Sequence, residues 1–263
     1  MSNVSNFFVI GTDKRSLNIK EMLEKEGRLI SNIESAEFIL GPTPFSKDSQ
    51  NINGTEISID NFINLFSRKT IFAGALSQNV REKFNRNNIN YYDLMDYEEV
   101  AVLNAIPTAE GAIQVAMENT DITLHGSKCL VIGYGRIGKV LCKMLQGIGA
   151  KVSSCARKRE ALANAFGMGY NVVDINNIGK GISEYDYIFN TADALVLDKY
   201  LLEKVSKDVY IVDLASSPGG VDYEVAKELN IRANLALALP GKVAPKTSGL
   251  YFKDKIDEIL GYL

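Results

Sequence analysis

The stretch KCLVIGYGRIGKVLCKMLQGIGAKVSSCARKRE, residues 128–160, decides the fold. An apolar run, Lys128–Ile132, leads into Gly133-Tyr134-Gly135-Arg136-Ile137-Gly138, and apolar residues then recur at helical spacing over Ile137–Gly147. In a strand–turn–helix that carries a dinucleotide, each glycine has a task. Gly133 allows the tight turn, Gly135 lets the backbone approach a pyrophosphate, and Gly138 lets helix and strand pack closely. The helix N-terminus then offers free N–H groups and the positive end of its dipole to the phosphates. A glycine turn alone is a weak signal, so the surrounding pattern has to carry the assignment.

That pattern is present. After Lys128–Ile132 come five more short apolar runs: Lys151–Cys155, Tyr170–Val173, Tyr187–Asn190, Val209–Leu214 and Ile231–Leu235. Helical patterns lie between them, over Arg159–Phe166, Lys199–Val205 and Asp222–Leu229. Short apolar runs without alternation are what strands buried on both faces require. Six of them with helical crossovers predict an α/β fold, a Rossmann-type doubly wound parallel sheet. Upstream, FFVIG, AEFIL, KTIFAG and INYYDL read as strands, with helices around Asp60–Phe66 and Gln78–Arg86, which predicts a smaller N-terminal α/β domain. The segment 41–55 is too rich in Pro, Asn, Ser and Gly for regular structure. Thr108–Asn119 reads as a joining helix, and Lys246–Leu263 carries Leu250, Ile256, Ile259 and Leu260 at helical spacing. The expected division is residues 1–120, 121–245 and a C-terminal helix, 246–263.

Composition narrows the chemistry. Among 263 residues, 29 Lys+Arg face 32 Asp+Glu, a net charge of −3, which gives no surface suited to a polyanion such as nucleic acid. Cys129, Cys142 and Cys155 cannot all pair, and none lies in a CxxC, so neither a disulfide framework nor a thiolate metal site is indicated. The start, MSNVSNFFVIGTDK, lacks the basic and apolar regions of a signal peptide, and no apolar run approaches the ~18 residues that span a bilayer. A cytoplasmic protein is expected. The single histidine, His125, rules out a two-histidine metal site within the chain, and it must be the base if histidine chemistry is used. It precedes the first strand of the sheet, where a structural junction is the simpler reading.

Cofactor choice follows from the end of the second strand. An Asp or Glu about 20 residues beyond the first glycine marks NAD, by binding the ribose 2′-hydroxyl. Here the sequence is Ser153-Ser154-Cys155-Ala156-Arg157-Lys158-Arg159, with no acid before Glu160. Arg157 and Lys158 suit a 2′-phosphate, with Ser154 as a hydrogen-bond donor and Ala156 beside the ribose. NADP(H) is expected over NAD(H). The bland alternative is that the three cations only solvate a helix start.

Ligands in this fold gather beyond the carboxyl ends of the strands. Two loops are predicted there: Asp213-Leu214-Ala215-Ser216-Ser217-Pro218-Gly219-Gly220, and Leu239–Gly249, which carries Lys242 and Lys246. Gly219 and Gly220 would offer backbone N–H groups, and the lysines would receive an anionic substrate. Asn190-Thr191-Ala192 is expected on the nicotinamide side. Thr108 and Glu110, in Pro107-Thr108-Ala109-Glu110-Gly111, are candidates for the substrate region, or a helix cap with an acid in its first turn. In Thr12-Asp13-Lys14-Arg15-Ser16, Arg15 either binds a carboxylate bidentately or is solvated.

These residues together resemble the dipicolinate synthase A subunit family of spore-forming bacteria. The similarity runs along nearly the whole chain: VIGTDKRSL, NAIPTAEGAIQVAMENTDITLHGS, GYGRIGK, DLASSPGG and ALPGKVAPKTSG. The linker and the last of these stretches are the specific parts, since GxGxxG is shared by very many dehydrogenases. The resemblance implies NAD(P)-dependent oxidation of dihydrodipicolinate to dipicolinate. It also implies a partner, the flavoprotein-like dipicolinate synthase B subunit, with an oligomeric assembly and sporulation in the mother-cell cytoplasm. A dicarboxylate substrate agrees with Arg15, Lys242 and Lys246 as receptors. Oxidising the dihydropyridine ring sends a hydride to the nicotinamide and leaves a proton for a modest base: Glu110 first, His125 second, or a water. Two rival readings are a 2-hydroxyacid or amino-acid dehydrogenase and a non-enzymatic NADP(H)-binding module.

Overall fold

The computed structural model describes residues 5–66 and 68–261. The chain divides into two compact units, one made of the chain up to Asn104 with the chain from Ala244, the other of Ala105–Val243. The cuts therefore fall earlier than the 120/121 and 245/246 expected from sequence. The reason is a single unbroken helix, Glu98–Glu118, whose start lies ten residues upstream of the predicted Thr108 and which contributes to both units.

In the first unit, β1 (Phe7–Val9), β2 (Phe38–Leu40), β3 (Thr70–Ala73) and β4 (Asn90–Asp93) form a parallel sheet in that order. Phe7 pairs with Phe38, Phe38 with Thr70, and Thr70 with Asn90. Helices α1 (Lys14–Lys25), α2 (Ile59–Phe66) and α3 (Gln78–Arg86) connect the strands. Asp13 caps α1, its Oδ1 accepting from the amides of Arg15 at 3.1 Å and Ser16 at 3.2 Å. The two sheet faces bury different aromatic sets. Phe7, Phe38 and Phe72 lie on one side, Phe45, Phe62 and Phe84 on the other. Segment 41–55 forms no helix and no strand, as its composition predicts.

The long helix Glu98–Glu118 is α4. By length and composition it would pass as membrane-spanning, with mean hydropathy 1.3, but half of that window is buried inside the protein, as in an ordinary core helix.

The second unit holds β5 (Lys128–Ile132), β6 (Lys151–Ala156), β7 (Asn171–Asp174), β8 (Tyr187–Asn190), β9 (Tyr210–Asp213) and β10 (Arg232–Leu235), in sheet order β10-β9-β8-β5-β6-β7 and parallel throughout. This is the doubly wound order that reverses beside the first strand of the unit, between β5 and β8. The crossovers include α5 (Arg136–Ile148), α6 (Arg159–Gly167), α7 (Lys199–Leu202) and α8 (Tyr223–Glu228). Alternate residues of one strand serve two cores. Cys129 and Val131 pack into one cluster, Leu130 and Ile132 into the other. Burial on both faces explains why the central strands β5, β6, β8 and β9 read as apolar runs, while the edge strands β7 and β10 are partly exposed.

One expectation fails. Residues 239–249, read as a loop, are helical: α9 (Leu239–Val243) is followed by α10 (Pro245–Ile259). Pro245 is the first residue of α10, where its missing N–H is not needed. Gly249 lies where a Cβ would come within 3.3 Å of the Arg15 carbonyl oxygen, so it permits close packing of α10 on α1. Residues that resemble breakers are thus a helix start and a helix–helix contact.

Candidate functional site: the glycine turn and its cleft

The turn after β5 has the geometry its sequence demands. Gly133 has φ +97°, a left-handed conformation that costs an L side chain strain. A Cβ on Gly138 would lie 2.0 Å from the Gly133 carbonyl oxygen, so only glycine allows the helix start to pack on the turn. Gly135 differs from both. It is the N-cap of α5 at φ −88°, and an added Cβ would meet no heavy atom within 4 Å. Its bare backbone faces open space at the N-terminus of a 13-residue helix with no side-chain cap, which is the donor arrangement a pyrophosphate needs.

The turn opens on a cleft of about 450 Å³. Gly133, Tyr134 and Gly135 line it on one side, Cys155, Ala156, Arg157 and Lys158 on the second, and Ala192, Asp193 and Ala194 on the third. Arg157 and Lys158 are exposed where the ribose end of a dinucleotide would lie. Lys158 is the N-cap residue of α6, and its exposed ammonium cannot itself cap the helix amides. Arg136 and Ile137 sit in the first turn of α5, just beyond the lining. Tyr134 packs edge-on against Tyr170, ring centroids 6.3 Å apart. Ser154, expected as a phosphate donor, does not reach the cleft. It is fully buried beside the Cys142 thiol, because the strand pleat turns it inward. Burial also pushes the thiols of Cys129, Cys142 and Cys155 up to about 12, so none is a thiolate nucleophile at neutral pH.

The DLASSPGG segment is organised by a carboxylate. Asp213, fully buried at the end of β9, accepts at Oδ1 from Asn190 Nδ2 (2.8 Å) and the Ala215 amide (3.1 Å). Its Oδ2 accepts from the Gly220 amide (2.7 Å) and Tyr223 Oη (2.8 Å). Burial and the Asp213 carboxylate both hold the Tyr223 phenol protonated. Gly219 and Gly220 are needed here for space: a Cβ on Gly219 would lie 2.6 Å from Asp213 Oδ2, and one on Gly220 2.2 Å from Asn190 Nδ2. The Gly220 amide, expected to face substrate, is therefore spent on Asp213. Thr191 likewise supports the fold, donating from both its amide (2.8 Å) and its hydroxyl (2.9 Å) to the Ile132 carbonyl and closing over Gly133. Ala192, next to it, lines the cleft.

The two candidate bases are not at this cleft. His125 is exposed before the N-terminal end of β5, where its Nδ1 is 2.9 Å from the Ile148 carbonyl oxygen. Glu110 is exposed on α4, beside a shallow apolar groove formed with Ile113, Met117, Met144 and Ile148. Thr108 is half-buried within α4. Lys242 and Lys246 are exposed, on α9 and in the first turn of α10. In the first unit, Arg15 follows the cap of α1 and is buried, with 6% of its surface exposed.

The comparisons with known proteins fit this geometry. Residues 114–234 match the Shikimate / quinate 5-dehydrogenase family model. The dipicolinate synthase A subunit of Bacillus subtilis (strain 168) is 34% identical over 193 residues, 72% of this chain and 64% of that protein's length. A crystal structure of the dipicolinate synthase A subunit from Bacillus halodurans superposes with TM-score 0.89 at 28% identity, covering 99% of both chains. The chain is a homologue of the dipicolinate synthase A subunit. A transhydrogenase from Sinorhizobium meliloti, 16% identical with TM-score 0.75 over 97% of this chain and 84% of that one, shares the fold. This relationship and the dehydrogenase-type fold support an oxidoreductase with a nicotinamide cofactor.

Sequence reasoning missed Asp213 as an organising centre and Asn190 as its partner. In the sequence each was read within a segment facing a ligand, Asp213 opening the DLASSPGG loop and Asn190 on the nicotinamide side, and not as a pair. The available signal was a pair of acid and amide closing adjacent strand ends, followed by two glycines.

Proposed function

We propose that the chain oxidises dihydrodipicolinate to dipicolinate with NADP⁺, acting beside a second subunit in the mother-cell cytoplasm of a sporulating bacterium. The observation that carries this reading is the built nucleotide cleft in a chain that matches, along 99% of its length, a dipicolinate synthase A subunit. The residues present fit a dinucleotide: bare backbone at Gly135 and the start of α5 for the pyrophosphate, Arg157 and Lys158 for a 2′-phosphate. Bound there, the cofactor supplies a hydride acceptor at its nicotinamide ring. Gly133, Tyr134, Gly135, Arg136, Ile137 and Gly138 hold and orient it, and Ala156 and Ala192 shape the ribose and nicotinamide ends of the cleft.

The reaction removes a hydride and a proton from a dihydropyridine ring, which becomes aromatic. Its product side therefore gains stabilisation without a strong base. Because Glu110 and His125 do not line the cleft, the proton is assigned to water. The placement of His125 also removes the acid–base residue that a 2-hydroxyacid dehydrogenase reading would need. Arg15 is the proposed carboxylate receptor, ahead of the exposed Lys242 and Lys246. The test is NADPH formation by the purified chain from dihydrodipicolinate, with and without the second subunit. No turnover in either assay refutes the reading.

A further inference from the structure

We infer that Arg15 is a pre-shaped receptor for one carboxylate of a dicarboxylate ligand, with its guanidinium plane set by Phe252 and Ser248. This deepens the proposed function and rests on it for the identity of the ligand. Arg15 lies one turn beyond the carboxyl end of β1, where ligands of parallel sheets gather. Its Nε donates to Ser248 Oγ at 3.2 Å, and its guanidinium carbon stands 4.6 Å from the centre of the Phe252 ring. Phe252 is itself pinned: a Cβ on Gly74, just after β3, would lie 3.0 Å from its ring edge and 2.6 Å from Thr43 Oγ1. The arginine thus has its plane and its side edge fixed by neighbours on α10.

What it lacks, among the described residues, is an acceptor for Nη1. Its Nη1 is buried and meets no hydrogen-bond partner among the described residues. Asp13, a carboxylate that acts on it electrostatically, spends its oxygens on the amides of Arg15 and Ser16 and on Ser16 Oγ, at 2.5 Å. Burial holds the Arg15 guanidinium down to about 10. A buried cation with an orphaned donor is costly unless something completes it. With Nε taken, the Nη1 end of the fork is the edge left for a carboxylate, and Arg is the side chain whose planar fork matches one. Lysines on exposed helix surfaces offer no such fixed geometry.

The experiment titrates pyridine-2,6-dicarboxylate and glutarate into the full chain, with and without NADPH, and follows thermal melting in parallel. The variants are Arg15→Met, which keeps volume without charge, and Arg15→Lys, which keeps charge without the fork. The expected result is a loss of at least 30-fold in dicarboxylate affinity for Arg15→Met and about 10-fold for Arg15→Lys, with NADPH affinity unchanged. Ligand-free Arg15→Met should melt at or above the parental temperature, because an incompletely paired buried charge has been removed; an arginine that only packs would leave the variant less stable. Should Arg15→Met fail to fold, Arg15→Lys decides the question. Parental dicarboxylate affinity in either folded variant overturns the inference, as does an unmodified chain that binds neither probe. If glutarate binds through Arg15 and pyridine-2,6-dicarboxylate does not bind at all, the receptor stands and the dipicolinate reading falls.

Discussion

Replacing Gly135 by alanine separates nucleotide binding from folding, because this glycine alone of the three faces empty space. Its φ of −88° suits any residue, and an added Cβ meets nothing within 4 Å. The cost to the ligand-free fold is the poorer helix N-cap, about 1 kcal/mol, or a melting shift of roughly 2–4 °C at this size. The bound nucleotide would feel far more. A methyl group there holds the pyrophosphate off the backbone amides, and losing one hydrogen bond to a charged group costs about 1.5–3 kcal/mol, roughly 10- to 150-fold in Kd. Gly138→Ala is the contrast. Its Cβ would sit 2.0 Å from the backbone oxygen of Gly133, which cannot rotate aside, so about 3 kcal/mol of stability should be lost from overpacking. Calorimetric titration with NADPH, beside circular-dichroism melts, reads both effects. A Gly135→Ala variant that binds NADPH within twofold of the parent would show that the pyrophosphate does not lie on this turn.

Three further outcomes are expected. Arg157→Ala should weaken NADPH by about 10-fold or more and leave NADH nearly unchanged, since only the former carries a 2′-phosphate; equal affinity of the unmodified chain for both nucleotides would defeat the assignment. With Cys129, Cys142 and Cys155 buried and their thiols pushed up to about 12, a colorimetric thiol titration at pH 8 should count none in the folded chain and all three in denaturant. Asp213→Asn should cost on the order of 3 kcal/mol in urea unfolding, because an amide NH₂ would then face donors that the carboxylate now satisfies; an unchanged midpoint would mean the loop does not depend on that charge.

The fold was legible where burial imposes a pattern. The central strands β5, β6, β8 and β9 are covered on both faces, so their apolar runs stand out without any partner being known. The glycine turn was legible for the same kind of reason: Gly133 and Gly138 are demanded by local backbone geometry, a short-range matter. Residues 239–249 misled because proline and glycine have two uses. Pro245 starts α10 and Gly249 admits α1, and that second use appears only when the two helices meet. Ser154 misled because one residue of register decides whether a strand side chain faces the cleft or the core. Glu110 was drawn in as a base by residue type alone, whereas the position of His125 before the first strand of the sheet already placed it at the end away from the glycine turn.

Two buried charges show why polar sites escape sequence reading and how structure sorts them. Asp213 and Arg15 are both nearly or fully buried. Asp213 finds four donors, and those come from Asn190, Ala215, Gly220 and Tyr223, none more than 23 residues away. Its charge is completed inside the fold, so it acts by holding the loop that follows β9. Arg15 is covered by Ser248, 233 residues along the chain, and by Phe252, and this cover fixes its orientation while leaving Nη1 without an acceptor among the described residues. A fold that merely needed to bury an aliphatic stem there would have done so more cheaply with methionine or leucine. The proposed dicarboxylate would supply the acceptor that the described residues do not give Nη1.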